Sequence, residues 1–182
     1  GISATTYALP ATTTLAERLR KEFPNLLIIL GGAHANIAGI HAAKNITFVD
    51  IVCCHSEGET VVLDILSKFS KHKFNRETFL NDISTMKSIK GIIFRNKDEI
   101  VKNLPGDIIK DLDYLPLPAR ELFPLERYVP LPNQYKKLPL TNMIVIRGCP
   151  YVCTFCDQAA TTARRRSPKR VIEEIREVVE KY

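Results

Sequence analysis

No aliphatic run in this chain of 182 residues is longer than Leu26-Leu27-Ile28-Ile29-Leu30. A membrane-spanning helix needs about 18 such residues, so none is predicted. A basic start followed by an apolar core is missing from the N-terminus, so no secretory signal is expected. Internal repeats and low-complexity tracts are absent. A long basic stripe interleaved with aromatics is absent too, although 26 Lys and Arg against 20 Asp and Glu give a net charge of +6. That charge reads as solvated surface, and nucleic acid is not the expected partner. There is no initiating Met: Gly1-Ile2-Ser3 reads as a strand already under way, and an amphipathic helix runs up to Tyr182. The expectation is a fragment of a longer chain. The five cysteines are an odd count without a leader, which argues against a secreted disulfide framework and for a cytoplasmic setting.

What is present is ordinary globular composition, 45% hydrophobic and 25% charged, enough for a packed core. The first third alternates helix and strand signals, which predicts βαβ crossovers and a parallel sheet in an α/β fold. Thr14 to Glu17 fits a capping box, followed by a helical stripe of Leu15, Ala16, Leu19 and Phe23 that Pro24 stops. Leu26 to Leu30, ending at Gly31-Gly32, suits a strand buried on both faces. A weak helix is expected over 38–44 and a strand over 46–53. Ser56 to Glu59 is a second capping box, ahead of a helix carrying Val61, Val62, Ile65, Leu66 and Phe69. Gly91 to Arg95 and Glu99 to Val101 read as a small hairpin. Seven of the eleven prolines fall between Pro105 and Pro139, the mark of a linker. Met143 to Ile146 reads as a buried strand, and Ser167-Pro168 as the cap and first position of a helix with Val171, Ile175, Val178 and Val179 on one face. On another face Glu177 and Lys181 stand at i,i+4. The expected segments are 1–72, 73–140 and 141–182.

Cys149-Pro150-Tyr151-Val152-Cys153-Thr154-Phe155-Cys156 spaces three thiols as C-x3-C-x2-C between a strand and a helix. Three thiolates from one short loop can hold three irons of a cubane cluster and leave the fourth open to a substrate. A structural zinc site would want four ligands, usually paired C-x2-C units. A loop at the C-terminal end of a strand in a βα unit is where barrel enzymes carry their chemistry. Cys53 and Cys54 read as small buried hydrophobes, and His34 as a packed or capping residue.

This loop resembles the signature of the radical S-adenosylmethionine superfamily, C-x3-C-x-aromatic-C after the first barrel strand, and Arg147-Gly148-Cys149-Pro150 is similar to the entry of one of its branches. Ser3 and Thr5, Gly31-Gly32 with Ala33-His34-Ala35, the segment Asp50 to Thr60, Lys90 to Arg95 and Asp111 to Ala119 resemble, in order, the cobalamin-binding domain and linker of that branch. Ser56 stands where the branch has a glycine, and Cys53-Cys54-His55 is unusual there. The resemblance implies a partial Rossmann-like cobalamin-binding half-domain, a proline-rich linker with a β-hairpin, and the first βα unit of a partial TIM barrel. It implies that Cys149, Cys153 and Cys156 ligate a 4Fe–4S cluster, that Phe155 lies by S-adenosylmethionine, and that Ser3, Thr5, Gly31 and Gly32 approach cobalamin.

The activity implied is reductive cleavage of S-adenosylmethionine, then cobalamin-linked methyl transfer or oxidative cyclisation of a small-molecule substrate. An electron donor such as flavodoxin or ferredoxin would be a partner, and the chain alone is expected to be inactive. Two other readings are a tRNA-modifying methylthiotransferase, motivated by the charge and Arg164 to Arg166, and a non-catalytic metal- or cofactor-binding remnant.

Overall fold

The computed structural model describes all of residues 1–182. Its packing divides the chain into two compact units, Gly1–Ile109 and Lys110–Tyr182.

The first unit is an α/β layer structure around a mixed sheet in the order β1-β2-β3-β4-β5. Strands β1 (Ile2–Ser3), β2 (Ile29–Gly31) and β3 (Ile51–Cys53) run parallel. Helices α1 (Leu9–Glu22) and α2 (Ala33–Asn45) are the crossovers between them. The hairpin β4 (Ile92–Asn96) and β5 (Glu99–Lys102) pairs antiparallel to β3 and completes the sheet. Segment 73–109, expected as linker, therefore belongs to this unit, because Ile92, Ile93 and Phe94 are apolar on both faces and must be covered.

Alternation of side chains splits the core in two. Leu30, Val52, Cys54 and Ile93 face Ala16 of α1 and Ala35, Ala42 and Ala43 of α2. Ile29, Ile51, Ile92 and Phe94 face Val61, Ile65 and Phe69 of α3 (Gly58–Lys71), with Phe79 of α4 (Arg76–Asn81) and Met86 of α5 (Ile83–Ser88). Neither short helix is apparent from periodicity; each starts on a side-chain cap, Asn75 and Asp82 accepting from Thr78 N and Thr85 N.

Several local expectations shift. Helix α1 starts before the expected Thr14 cap, with Pro10 in its first turn; Thr13 and Thr14 instead donate back to the carbonyls of Leu9 and Pro10. Ala16 faces the sheet while Leu15 and Phe23 are exposed. The cap of α3 is Glu57, and Ser56 packs where a Cβ on Gly91 or Gly106 would collide with it. The strand expected over 46–53 is only Ile51–Cys53, because α2 runs on to Asn45 and Ile46 closes it.

The second unit is built from short 3-10 turns, among them Leu112–Tyr114 and Arg120–Leu122, a two-stranded antiparallel ladder of β6 (Ile146–Arg147) and β7 (Arg164–Arg165), and helix α6 (Pro168–Lys181). The strand expected to be buried over 143–146 is mostly exposed at Ile144 and Ile146, since only β7 lies beside it. The cap of α6 is as expected: Ser167 accepts from Arg170 N at 3.2 Å, with Pro168 first in the helix. The Glu177–Lys181 pair forms at 2.6 Å. What α6 buries, however, is Glu174, while Ile175 and Val179 stay exposed. No helix is long and apolar enough to cross a membrane.

Candidate functional site

In the second unit the cysteine loop spans the turn from β6 to β7. Its base is closed by three hydrogen bonds: Cys149 N to Thr161 Oγ1 at 2.9 Å, Thr161 N to Cys149 O at 2.9 Å, and Ala160 N to Tyr151 O at 2.7 Å. Gly148 enters this loop at φ +83°, and a Cβ there would stand 2.2 Å from the Thr162 carbonyl oxygen, so the tight entry admits only glycine. Cys156 N donates to Cys153 O at 3.1 Å, a turn that carries two of the three thiols.

All three thiols are free; Cys153 is exposed, Cys149 and Cys156 half-buried. The sulfurs do not stand together as a ready-made metal-holding group. As a donor set they fit an iron–sulfur cluster: three soft, unbridged thiols on one loop whose base is pinned and whose tip is open. Phe155, beside Cys156, is 92% exposed.

The β6–β7 ladder that carries the loop is tied to α6 by an ionic cluster. Glu174 is fully buried and accepts from Arg120 and Arg166. Burial pushes its pKa up, but hydrogen bonds and charge from the two guanidinium groups prevail and hold it below the usual carboxylate range. Arg120 also donates to Thr141 Oγ1 at 3.1 Å and to the Asn142 carbonyl at 2.8 Å, fixing the approach to β6. Arg166 is thus not part of a solvated run; its charge is spent inside the fold. Thr161, Arg120 and Glu174 escape sequence reading because the contacts that matter, Thr161 to Cys149 and Glu174 to Arg120 and Arg166, span 8 to 54 residues and follow no local motif.

In the first unit, Ser3, Gly31 and Gly32 come together at the C-terminal ends of β1 and β2. Ser3 is opposite Gly31 in the parallel register. Gly32 has φ +92°, and a Cβ on it would stand 2.7 Å from Ser3 Oγ and from Ala4 N. Ala4 N donates to Gly31 O and His34 N to Ala4 O, each at 3.0 Å. The small residues thus leave backbone exposed at the strand ends, where open α/β sheets bind ligands. Thr5 is exposed beside them. His34 is buried, its Nδ1 3.1 Å from Thr6 Oγ1, in keeping with a packed histidine.

Asp50, which opens the third resembling segment, is a structural hub. Its carboxylate accepts from Arg20 at 2.7 Å, from Arg76 Nε at 2.9 Å and from Ile28 N at 2.8 Å. Cys53 and Cys54 project to opposite faces of the sheet, one beside each core cluster, so they cannot chelate one ion together. Burial, with the neighbouring Cys54, pushes the Cys53 thiol up to about 12.

No family model matches the chain. It is similar to three groups of curated proteins. An uncharacterized methyltransferase of Pyrococcus horikoshii is 26% identical over 178 residues, which cover 96% of this chain and 35% of the relative. The anaerobic magnesium-protoporphyrin IX monomethyl ester cyclase of Cereibacter sphaeroides is 28% identical, over 100% of this chain and 28% of its own length. A cobalamin-dependent radical SAM methyltransferase of Streptomyces tokunonensis is 27% identical, over 88% of this chain and 22% of its own length. The chain thus spans about a third or less of the length of these relatives. The resemblance carried by its motifs is to proteins that bear the names of cyclases and radical SAM methyltransferases, and these relatives are enzymes.

Proposed function

We propose that this chain is the cofactor-bearing part of a radical S-adenosylmethionine enzyme, cobalamin-linked, acting on a small molecule by methyl transfer or oxidative cyclisation. The observation that carries the reading is the loop of three free thiols at C-x3-C-x2-C spacing, entered through Gly148 and pinned at its base by Thr161.

Cys149, Cys153 and Cys156 would hold a 4Fe–4S cluster, which when bound supplies a low-potential electron and one open iron for the amino and carboxylate groups of S-adenosylmethionine. The chain's own residues do the holding. Thr161 and Gly148 fix where the first cysteine leaves β6, and the Cys153–Cys156 turn presents the other two. Phe155 offers an exposed ring and backbone on the side where the adenine would lie. In the first unit, Ser3, Thr5, Gly31 and Gly32 would let the backbone approach the nucleotide tail of a corrinoid, because Gly31 has open space where a Cβ would stand and Gly32 lets the chain close on Ser3 and Ala4. β6, the loop and α6 correspond in this reading to the first βα unit of a partial TIM barrel. A flavodoxin- or ferredoxin-type donor in the cytoplasm, where thiols stay reduced, supplies the electrons.

The test is low-temperature electron paramagnetic resonance of the anaerobically reconstituted, reduced protein, with and without S-adenosylmethionine. A cluster signal that changes on addition, and that is lost in Cys153→Ala, is expected. Stoichiometric zinc in place of iron and sulfide, or a cluster unchanged in Cys153→Ala, overturns the reading.

A further inference from the structure

A cavity of about 410 Å³ lies in the first unit between α2 and the β4–β5 hairpin, and none of Ser3, Thr5, Gly31 and Gly32 lines it. Its floor is Cys54, only 3% exposed, and Ile93. Four side chains that carry or can take positive charge line it: His41, Lys44, His55 and Lys102. No carboxylate does, and neither lysine forms an ion pair. Burial pushes the Cys54 thiol up, and the nearby charge of Lys102 acts against that shift without reversing it.

The cavity is shaped by features with no other evident use. Helix α2 departs from helical geometry at Ala38 (φ −124°, ψ 31°). Gly39 follows, and a Cβ on it would stand 2.9 Å from Ile93 Cδ1 and 3.3 Å from Cys54 Cβ, so the helix comes this close to the sheet because glycine has no side chain to push Ile93 aside. His55 sits in the left-handed region at φ 50°, where a non-glycine residue is strained, and its N–H donates to Asn36 Oδ1 at 2.9 Å. Strain held in place by a side-chain hydrogen bond at the rim of a cavity points towards binding. Cys54 and His55 belong to the very stretch in which this chain departs from the pattern its other segments resemble.

We propose that this cavity binds a small amphipathic anion, its carboxylate or phosphate held by Lys44 and Lys102 and its apolar body resting on Ile37, Ile40 and Ile93. Uncompensated like charges at a concave surface are relieved by an anion, and the isoleucines give it a surface to cover. The proposal does not depend on the cluster or on cobalamin.

The test uses the whole 182-residue chain. Hexyl phosphate, hexanoate, inorganic phosphate and 1-hexanol are each titrated against isotope-labelled protein, and backbone amide resonances are followed. Saturable shifts at Gly39, Cys54 and Lys102 are expected with hexyl phosphate or hexanoate, and the tighter of the two identifies the head group. Inorganic phosphate and hexanol should each bind more weakly. Lys44→Ala with Lys102→Ala, both exposed positions, should weaken the amphipath by about tenfold or more. The absence of saturable shifts, equal binding of hexanol, or unchanged affinity in the double variant overturns the proposal.

Discussion

Asp113 Oδ1 accepts the backbone N–H of Ser167 at 2.8 Å, joining the first 3-10 turn of the second unit to the cap of α6. Ser167 in turn caps that helix through Arg170 N, and Arg170 donates to the Leu115 carbonyl at 2.9 Å. The segment Asp111 to Arg120 therefore acts as a brace: one end holds the start of α6, and the other holds its buried Glu174 through Arg120.

Asp113→Ala should loosen the first turn of α6 without unfolding the first unit. Faster amide exchange at Ser167 and Arg170, with rates in β2 and β3 unchanged, is the expected result. Unaltered exchange at Ser167 would show that the brace is dispensable.

Glu174→Ala removes the one carboxylate shared by Arg120 and Arg166 and leaves two cations without it. Breaking a buried pair of this kind costs about 3–5 kcal/mol, read as a fall in the denaturant midpoint of the second unit. The pH dependence has a definite sign. The folded pKa of Glu174 lies below the unfolded one, so the contribution is complete above the unfolded carboxylate range near about 4. It is lost as pH falls through that range and then through the folded pKa. Asp113, held low by hydrogen bonds from Ser167, adds in the same direction. Acid unfolding monitored at several pH values should show this slope, and Glu174→Gln should flatten it.

Asp50→Ala should destabilise the first unit. It leaves Arg20 and Arg76 without their shared partner and the Ile28 N–H without its acceptor. The side chain of Asp50 is 4% exposed while the arginines are partly solvated, so the loss should be near about 3 kcal/mol, the low end for a buried pair. Thermal unfolding followed by circular dichroism measures it.

The five thiols should divide into two classes. Brief alkylation by iodoacetamide near about pH 8 should label Cys153 first, then Cys149 and Cys156. Cys53, its thiol raised by burial, and the buried Cys54 should be labelled only on unfolding. Peptide mass spectrometry reads the order; early labelling of Cys54 would contradict the packing of the first unit.

Much of this protein could be read along the chain. The C-x3-C-x2-C loop, the glycines at Gly31-Gly32 and Gly148, the Ser167-Pro168 cap and the β4–β5 hairpin are local signals, because each depends on the conformation of a few consecutive residues. Tertiary structure decided which of the apolar faces are used. Ala16, not Leu15 or Phe23, meets the sheet, and α6 buries Glu174 rather than Ile175 or Val179. It also decided that the hairpin joins the sheet and that Asp50 and Glu174 each gather two arginines. Local pattern cannot supply these. A carboxylate's partners 8 to 54 residues away are chosen by which surfaces the packed elements bring within hydrogen-bond reach.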